Sequence, residues 1–140
     1  MADFIGNPRI NFVESAAERT SDGEIRIISD LGRMRFASGQ FTPQAPTQNS
    51  FPCVVGIRPE KLLISETPMD GAIEATVYSV QPEGSETTIH LTAGNTRLMA
   101  REMGIRSYGV DQRVYLKLDP DKANVFDKQS GCLIKQALQD

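Results

Sequence analysis

The sequence contains no tryptophan, a single histidine and few aromatic residues of any kind, which together make up 6% of the chain. Surfaces that bind single-stranded nucleic acid need aromatic side chains on which bases can stack, set in a basic groove. The formal net charge is −3, whereas a nucleic-acid-binding domain normally presents a basic face to the phosphates. The composition therefore predicts that the chain does not bind nucleic acid.

Cysteine is scarce as well. Cys53 and Cys132 are the only two, they lie far apart, and they form no Cys-x-x-Cys spacing. We expect two reduced thiols that are buried or half-buried. His90 has no partner residues at metal-ligand spacing, so no metal site is predicted.

Long hydrophobic runs are also missing, because no apolar stretch approaches the roughly 18 residues of a membrane span. The first residues, Met1-Ala2-Asp3, lack the basic region of a secretory leader. These features predict a cytoplasmic location, with membrane association only through a partner.

The motifs of catalysis are not found. No segment reads Gly-x-x-x-x-Gly-Lys-Ser/Thr, the loop whose backbone amides cradle nucleotide phosphates. Glu83 and Glu86 form a pair of acids, but no nucleophile or histidine-acid constellation accompanies them. We expect a chain that is not an enzyme, holds no cofactor, and neither binds nor hydrolyses ATP.

Short strands separated by turn residues dominate what is present. Turn pairs at Asp22-Gly23, Gly94-Asn95 and Ser130-Gly131 each separate two strand-like segments and predict three hairpins. Asp70-Gly71 opens the longest predicted strand, over residues 72–80. At 140 residues, the chain is long enough for one domain or for two small subdomains that share a core.

Alternation of polar and apolar residues supports the strands. In the segment 87–91, Ile89 and Leu91 are predicted to face inward and Thr88 and His90 outward. The segment 39–52 contains three prolines and few aliphatic residues, so it is predicted to be a surface loop. Many short strands with frequent turns indicate a small all-β barrel or sandwich.

Two short motifs lie about fifty residues apart. Phe4-Ile5-Gly6-Asn7-Pro8-Arg9-Ile10-Asn11-Phe12 opens the chain, and Gly56-Ile57-Arg58-Pro59-Glu60 lies near its middle. In the second motif, Pro59 keeps Arg58 extended and fixes a corner that can start a short helical turn. The motif has two readings: a purely structural corner, or a contact surface for a partner.

Together the motifs resemble the C-terminal regulatory domain, of transport-associated OB type, found in the ATP-binding subunits of sugar-type ABC importers of the maltose-transporter group. Two further segments are similar to that family, Gly84-Ser85-Glu86-Thr87-Thr88-Ile89-His90 and Val125-Phe126-Asp127-Lys128-Gln129-Ser130-Gly131. The resemblance covers nearly the whole chain. It implies an all-β, OB-like small barrel with additional strands over residues 13–140, preceded by a junction, residues 1–12, from an upstream ATPase domain.

The resemblance also implies a function. The chain would be the regulatory and dimerisation domain of a subunit that hydrolyses ATP to drive uptake of a sugar, polyol or glycerol phosphate, with ATP and magnesium bound only by the upstream domain. Its partners would be a second copy, that ATPase domain, the membrane permease subunits indirectly, and an inhibitory signalling protein.

Candidate contact residues follow from the matched motifs. Phe4, Gly6, Pro8 and Asn11 would dock the ATPase domain. A second set would meet the partner copy, namely Arg58, Glu60, Gly84 and Glu86. Because related OB-like domains bind molybdate or tungstate through serine, threonine and backbone donors, an oxyanion-binding domain that uses Ser85, Thr87 and Thr88 is the alternative.

Overall fold

A computed structural model of the chain describes residues 10–138, and within them the chain forms two compact units. The first unit comprises residues 10–57 and 120–138, and the second comprises Arg58–Asp119. In chain order the strands are β1 (Asn11–Arg19), β2 (Glu24–Ser29), β3 (Gly32–Ala37), β4 (Ser50–Ile57), β5 (Leu62–Ser65), β6 (Ile73–Glu83), β7 (Glu86–Ala93), β8 (Thr96–Met103), β9 (Arg113–Leu118), β10 (Asn124–Asp127) and β11 (Leu133–Lys135).

The first unit is a six-stranded antiparallel sheet in the order β11-β10-β4-β1-β2-β3. The Asp22-Gly23 turn joins β1 to β2, with Gly23 at φ 81°, a conformation that glycine adopts readily. Alternate residues of the strands point to one buried face, where the fully covered side chains include Val13, Ile25, Ile27 and Val55. The predicted hairpins at Asp22-Gly23 and Ser130-Gly131 are confirmed.

The second unit is a five-stranded antiparallel sheet in the order β5-β9-β6-β7-β8. Its two edge strands, β5 and β8, contact each other, and the 3-10 turn Pro59–Lys61 packs against β8. The sheet is thereby curled into a small barrel, which leaves little free strand edge. Its core contains Val77, Ile89, Leu91 and Val114, each without exposed surface. The predicted all-β, OB-like fold and the Gly94-Asn95 hairpin are confirmed.

The bounds of two strands differ from the sequence-based predictions. The longest strand, β6, runs to Glu83 rather than ending at residue 80, and the segment 50–52 belongs to β4 rather than to the preceding loop. Pro82 is tolerated because β9 pairs with β6 only as far as Thr76, so beyond that point β6 is paired on one side. Pro52 lies beside the end of β10, and its carbonyl accepts a hydrogen bond from Lys128 N at 3.3 Å. Because β10 ends there, the missing N–H of the proline leaves few hydrogen bonds between β4 and β10 unmade.

Thr88 lies on the opposite face of β7 from Ile89, as predicted, but it is buried there, with 4% of the residue exposed. Its hydroxyl donates to Glu83 Oε1 at 2.7 Å across the β6–β7 hairpin, which covers it. The neighbouring Thr87 is buried as well, with no exposed surface. Two successive buried threonines depart from the expected alternation of buried and exposed residues along β7. The hydroxyls of both are hydrogen-bonded, as buried polar groups usually are.

Candidate contact surface around the β6–β7 tip

The last two residues of the first motif and the first two of the second lie on neighbouring strands of the first unit. β1 and β4 are paired so that Asn11 lies opposite Ile57, and Phe12 lies opposite Gly56. A Cβ at Gly56 would lie 3.3 Å from Phe126 Cε1 and 3.4 Å from Phe12 Cε1, so the glycine makes room for the two rings. Those rings pack edge to face, with centroids 6.2 Å apart.

Of the residues predicted to dock an ATPase domain, Phe4, Gly6 and Pro8 lie outside the described residues. Asn11 lies at the start of β1 and is 7% exposed. Asn11 is therefore largely buried, and its docking role stays a prediction.

The motif around Pro59 forms the expected corner. Arg58 is extended, with φ −72° and ψ 145°, and Pro59 opens the 3-10 turn that Lys61 N closes by donating to Arg58 O at 3.0 Å. Pro59 is buried, whereas Arg58 and Glu60 are exposed. The corner is therefore anchored by the proline ring and presents the two charged side chains to solvent.

The other two predicted contact residues lie at the turn between β6 and β7. Gly84 has φ 73°, and no atom lies within 4 Å of the position that a Cβ would take. Glu86 begins β7 and forms an ion pair with Arg101 of β8, with Nε and Oε2 3.5 Å apart. The Arg58 corner and this turn both belong to the second unit, but they are separate turns of the barrel.

Sequence reasoning did not identify the apolar residues beside this turn. Met103 lies directly opposite Glu86 at the end of β8 and is 71% exposed, and Ile105 follows at 75%. Gly84, Ser85, Glu86 and Met103 are named the tip below. One sequence feature could have indicated these exposed apolar residues. Met103 and Ile105 are separated only by Gly104, so apolar residues continue from the end of a strand into a turn.

The segment after Met103 is fastened to β7 by a buried hydroxyl. Thr87 Oγ1 donates to Gly104 O at 2.7 Å and accepts from Arg106 N at 3.1 Å, while Gly104 N donates to Ser85 O at 2.6 Å. Ile105, between these anchored residues, therefore projects from a fixed stretch of backbone. A threonine with both hydrogen-bonding functions used inside a core can hold a loop in this way.

Further along the same segment, Tyr108 OH donates to Glu102 Oε1 at 2.7 Å. Burial of the phenol raises the pKa of Tyr108 above its usual value, and the hydrogen bond to the Glu102 carboxylate raises it further. The protonated phenol thus remains the hydrogen-bond donor to Glu102.

Two of the three donors proposed for an oxyanion, Thr87 and Thr88, are already engaged within the unit. The hydroxyl of Thr87 holds Gly104 and Arg106, and the hydroxyl of Thr88 donates to Glu83. Among residues 10–138, no group of three or more histidine, cysteine, aspartate or glutamate side chains is placed to hold a metal ion. His90 contacts the ring of Tyr78 instead, with centroids 5.7 Å apart.

Both cysteines are free thiols, Cys53 buried and Cys132 half-buried, as expected from the sequence. Cys53 lies opposite Asp127 of β10, and Asp127 N donates to Cys132 O at 2.9 Å, so β10 runs between the two cysteines. Burial raises the pKa of the Cys53 thiol to about 12, and the neighbouring Asp127 carboxylate adds to the shift.

None of the described residues belongs to a helix with the length and apolar character needed to cross a bilayer.

Comparison with known proteins identifies the family of this domain. The chain belongs to the TOBE domain family, whose model matches residues 55–126. That match includes the Arg58 corner, the tip and the whole second unit.

Three of the similar proteins are ATP-binding proteins of transport or import systems for sugars or sugar derivatives. The sulfoquinovosyl glycerol transport ATP-binding protein SmoE of Agrobacterium fabrum is 28% identical over an alignment of 131 positions that covers 89% of this chain and 33% of SmoE. The multiple sugar-binding transport ATP-binding protein MsmK of Streptococcus mutans is 28% identical over 96% of the chain and 36% of MsmK. The trehalose/maltose import ATP-binding protein MalK of Thermococcus litoralis is 30% identical over 94% of the chain and 36% of MalK.

The chain thus spans about a third of the length of these relatives, and the resemblance to sugar-importer ATP-binding subunits is confirmed. Among solved structures, the cytoplasmic molybdate-binding protein ModG has a similar fold, with a TM-score of 0.59 and 10% identity over 87% of this chain and 97% of ModG. At that identity the likeness is one of fold alone.

Proposed function

We propose that the chain is the regulatory and dimerisation domain of an ABC-importer ATP-binding subunit that drives uptake of a sugar, polyol or glycerol phosphate. The observation that carries the proposal is the match of nearly the whole chain to such subunits, joined to the TOBE family membership. In this proposal ATP and magnesium bind outside the 140 residues, and the chain itself catalyses nothing.

The proposed partners follow from this role. A second copy meets the chain at the tip, the upstream ATPase domain docks near the start of the chain, and the permease subunits keep the assembly at the inner face of the membrane. The exposed Met103, opposite Glu86, supports self-pairing at the tip, because apolar side chains at the centre of an interface supply most of its affinity. A regulatory protein would act on the same assembled subunit.

The oxyanion-binding alternative is not favoured. The likeness to ModG is one of fold, and folds of this kind host unrelated functions. The hydroxyls of Thr87 and Thr88, which the alternative requires as ligand donors, are bonded to the protein's own groups. Binding an oxyanion through them would require these bonds to be broken, and a typical intramolecular hydrogen bond contributes about 0.5–1.5 kcal/mol.

The test has two parts. The coding sequence directly upstream of Met1 is expected to encode a Gly-x-x-x-x-Gly-Lys-Ser/Thr loop in the same reading frame. The isolated chain is expected to show neither heat of ATP binding in calorimetry nor phosphate release. An upstream region without an ATP-binding segment, or stoichiometric micromolar binding of ATP by the isolated chain, would refute the proposal.

A further inference from the structure

A cluster of polar and aromatic side chains lies on the outer face of the second unit. Thr92 of β7 lies opposite Thr76 of β6 on one side and opposite Arg97 of β8 on the other. His90, two residues earlier on β7, points to the same face. Together with the ring of Tyr78 these side chains form the Tyr78 face, which comprises Thr76, Tyr78, His90, Thr92 and Arg97. None of the five residues is buried, so the cluster is open to solvent.

Tyr78 owes its position to a β-bulge. The pairing of β6 with β7 shifts register between Val77 and Ser79, so Tyr78 is the residue between them that has no cross-strand partner on β7. A bulge changes the direction in which a side chain projects, and bulges are common beside binding sites. Tyr78 is 39% exposed, whereas the preceding Val77 has no exposed surface. The bulge therefore presents an aromatic ring at the surface of the barrel.

Two neighbouring side chains contact the ring of Tyr78. The centroid of the His90 ring lies 5.7 Å from the centroid of the Tyr78 ring, and the two planes are tilted by 44°. The guanidinium carbon of Arg97 lies 5.6 Å from the same Tyr78 centroid, a distance at which the π electrons attract the cation. These contacts order the ring before a ligand arrives, and pre-ordering lowers the entropic cost of binding.

The Tyr78 face carries hydrogen-bonding groups that the barrel itself does not use. Within residues 10–138, the hydroxyls of Thr76, Tyr78 and Thr92 have no hydrogen-bond partner, and Arg97 has no carboxylate partner. The face therefore combines an aromatic ring with three neutral donors and acceptors and one guanidinium. A sugar ring matches this combination, because its C–H groups can pack on the aromatic ring while its hydroxyls bond to the surrounding polar groups.

The distribution of charge favours a neutral ligand over an anionic one. Arg113 of β9 lies opposite Thr76 and continues the same row, but its Nε is paired with Glu74 Oε2 at 3.8 Å. The positive charge of Arg113 is thereby largely compensated, which leaves Arg97 as the guanidinium available to a ligand on the Tyr78 face. A site for an anion concentrates charge of one sign, and this face does not.

We propose that the Tyr78 face binds the ring of a neutral sugar, so that the chain senses a solute that its importer brings in. This inference rests on the proposed function, and it names sugars rather than glycerol phosphate among the solutes considered there. A ligand of about a dozen non-hydrogen atoms on an open face binds with a Kd on the order of millimolar. The site therefore fills only after the sugar has accumulated, and its occupancy reports the internal concentration.

Proton–nitrogen correlation NMR of the 140-residue chain tests the proposal with D-glucose, D-xylose and maltose, and with glycerol 3-phosphate and inorganic phosphate as anionic comparators. Amide shifts of residues 76–78, 90–92 and 97 should saturate with at least one sugar. Tyr78→Ala should weaken this binding at least tenfold, whereas Tyr78→Phe keeps the ring and should weaken it far less. Leu63→Ala, at a leucine of β5 that is 59% exposed in the same unit, is the matched control and should leave it unchanged.

The outcomes separate this inference from the proposed function. The absence of saturating shifts with all three sugars overturns the sugar site, and so does sugar binding that Tyr78→Ala leaves unchanged. Binding of the two phosphates without any sugar would make the face an anion site and would also overturn the proposal. Each of these results leaves the proposed function standing, whereas a gene without an ATP-binding segment refutes that function even if sugar binds at Tyr78.

Discussion

Phe12 of β1 lies directly opposite Gly56 of β4, so the end of the first family motif and the beginning of the second are paired in one sheet. The aromatic motif and the glycine motif are complementary, because a Cβ at position 56 would lie 3.4 Å from Phe12 Cε1. The spacing of about fifty residues is the length of chain needed for β2, β3 and the following loop before β4 returns beside β1.

Gly56→Ala should destabilise the protein by about 1–3 kcal/mol, because the added methyl group must displace the packed rings of Phe12 and Phe126. Urea unfolding followed by circular dichroism measures the change. Gly39→Ala is the control, since no atom lies within 4 Å of its Cβ position, and it should change stability by no more than about 0.5 kcal/mol. Equal effects of the two substitutions would contradict the packing argument.

Thr87→Val keeps the shape of the side chain and removes the hydroxyl that bonds to Gly104 O and Arg106 N. We expect a loss of about 2 kcal/mol in unfolding free energy and faster amide exchange over residues 104–106. The matched substitution Thr92→Val, at a half-buried position of the same strand, should leave that exchange unchanged. Unaltered protection in Thr87→Val would show that the hydroxyl does not hold the segment.

Lys135 is 1% exposed, and its ammonium donates to Pro120 O at 2.9 Å and to Ala123 O at 2.8 Å, with the ring of Phe36 5.0 Å away. Lys135→Met preserves the aliphatic length but leaves these carbonyls without the donor, which should cost about 2–3 kcal/mol in thermal or urea unfolding. Lys117→Met, at an exposed position of β9, should have little effect. A neutral or stabilising Lys135→Met would mean that the cost of burying the charge equals or exceeds the benefit of its bonds.

The isolated chain should self-associate weakly through the tip. Sedimentation equilibrium up to millimolar concentration should show dimers, and Met103→Glu should weaken their formation at least tenfold, because a carboxylate would replace an apolar contact residue that is 71% exposed. Leu63→Glu, which changes a comparably exposed apolar residue elsewhere in the barrel, should not. A chain that remains monomeric into the millimolar range would contradict the placement of the interface.

In the native protein, a thiol-specific disulfide reagent at pH 8 should label Cys132 and leave Cys53 unmodified until the protein unfolds. The reason is that Cys53 is buried and its pKa is raised to about 12, so it carries almost no thiolate. The folded pKa of Cys53 exceeds its ordinary value of 9.0. The part of the unfolding free energy that depends on this thiol is therefore fully present below about pH 9, and it declines as the pH rises towards 12. Rapid labelling of Cys53 in folded protein would contradict its burial.

Local sequence patterns were enough to predict the fold class. Turn pairs such as Asp22-Gly23 and Gly94-Asn95 specify hairpins through backbone geometry that needs only two or three residues, and the structure has strands on both sides of each. The corner at Pro59 followed in the same way, because a proline fixes its own φ and restricts the residue before it. Each of these features depends on neighbours along the chain.

What the sequence by itself determined is therefore the all-β class, the turns and the family. Only the tertiary structure decided that Phe12 meets Gly56, that Thr87 and Thr88 are buried, and that Met103 lies beside Glu86. The physical reason is that these relationships depend on strand register and on which loop covers which face, and both are set by contacts between residues far apart in the chain. In the sequence, a threonine whose hydroxyl is solvated cannot be told from one whose hydroxyl binds a loop. The role of Thr87 therefore follows only from the contacts made in the folded barrel.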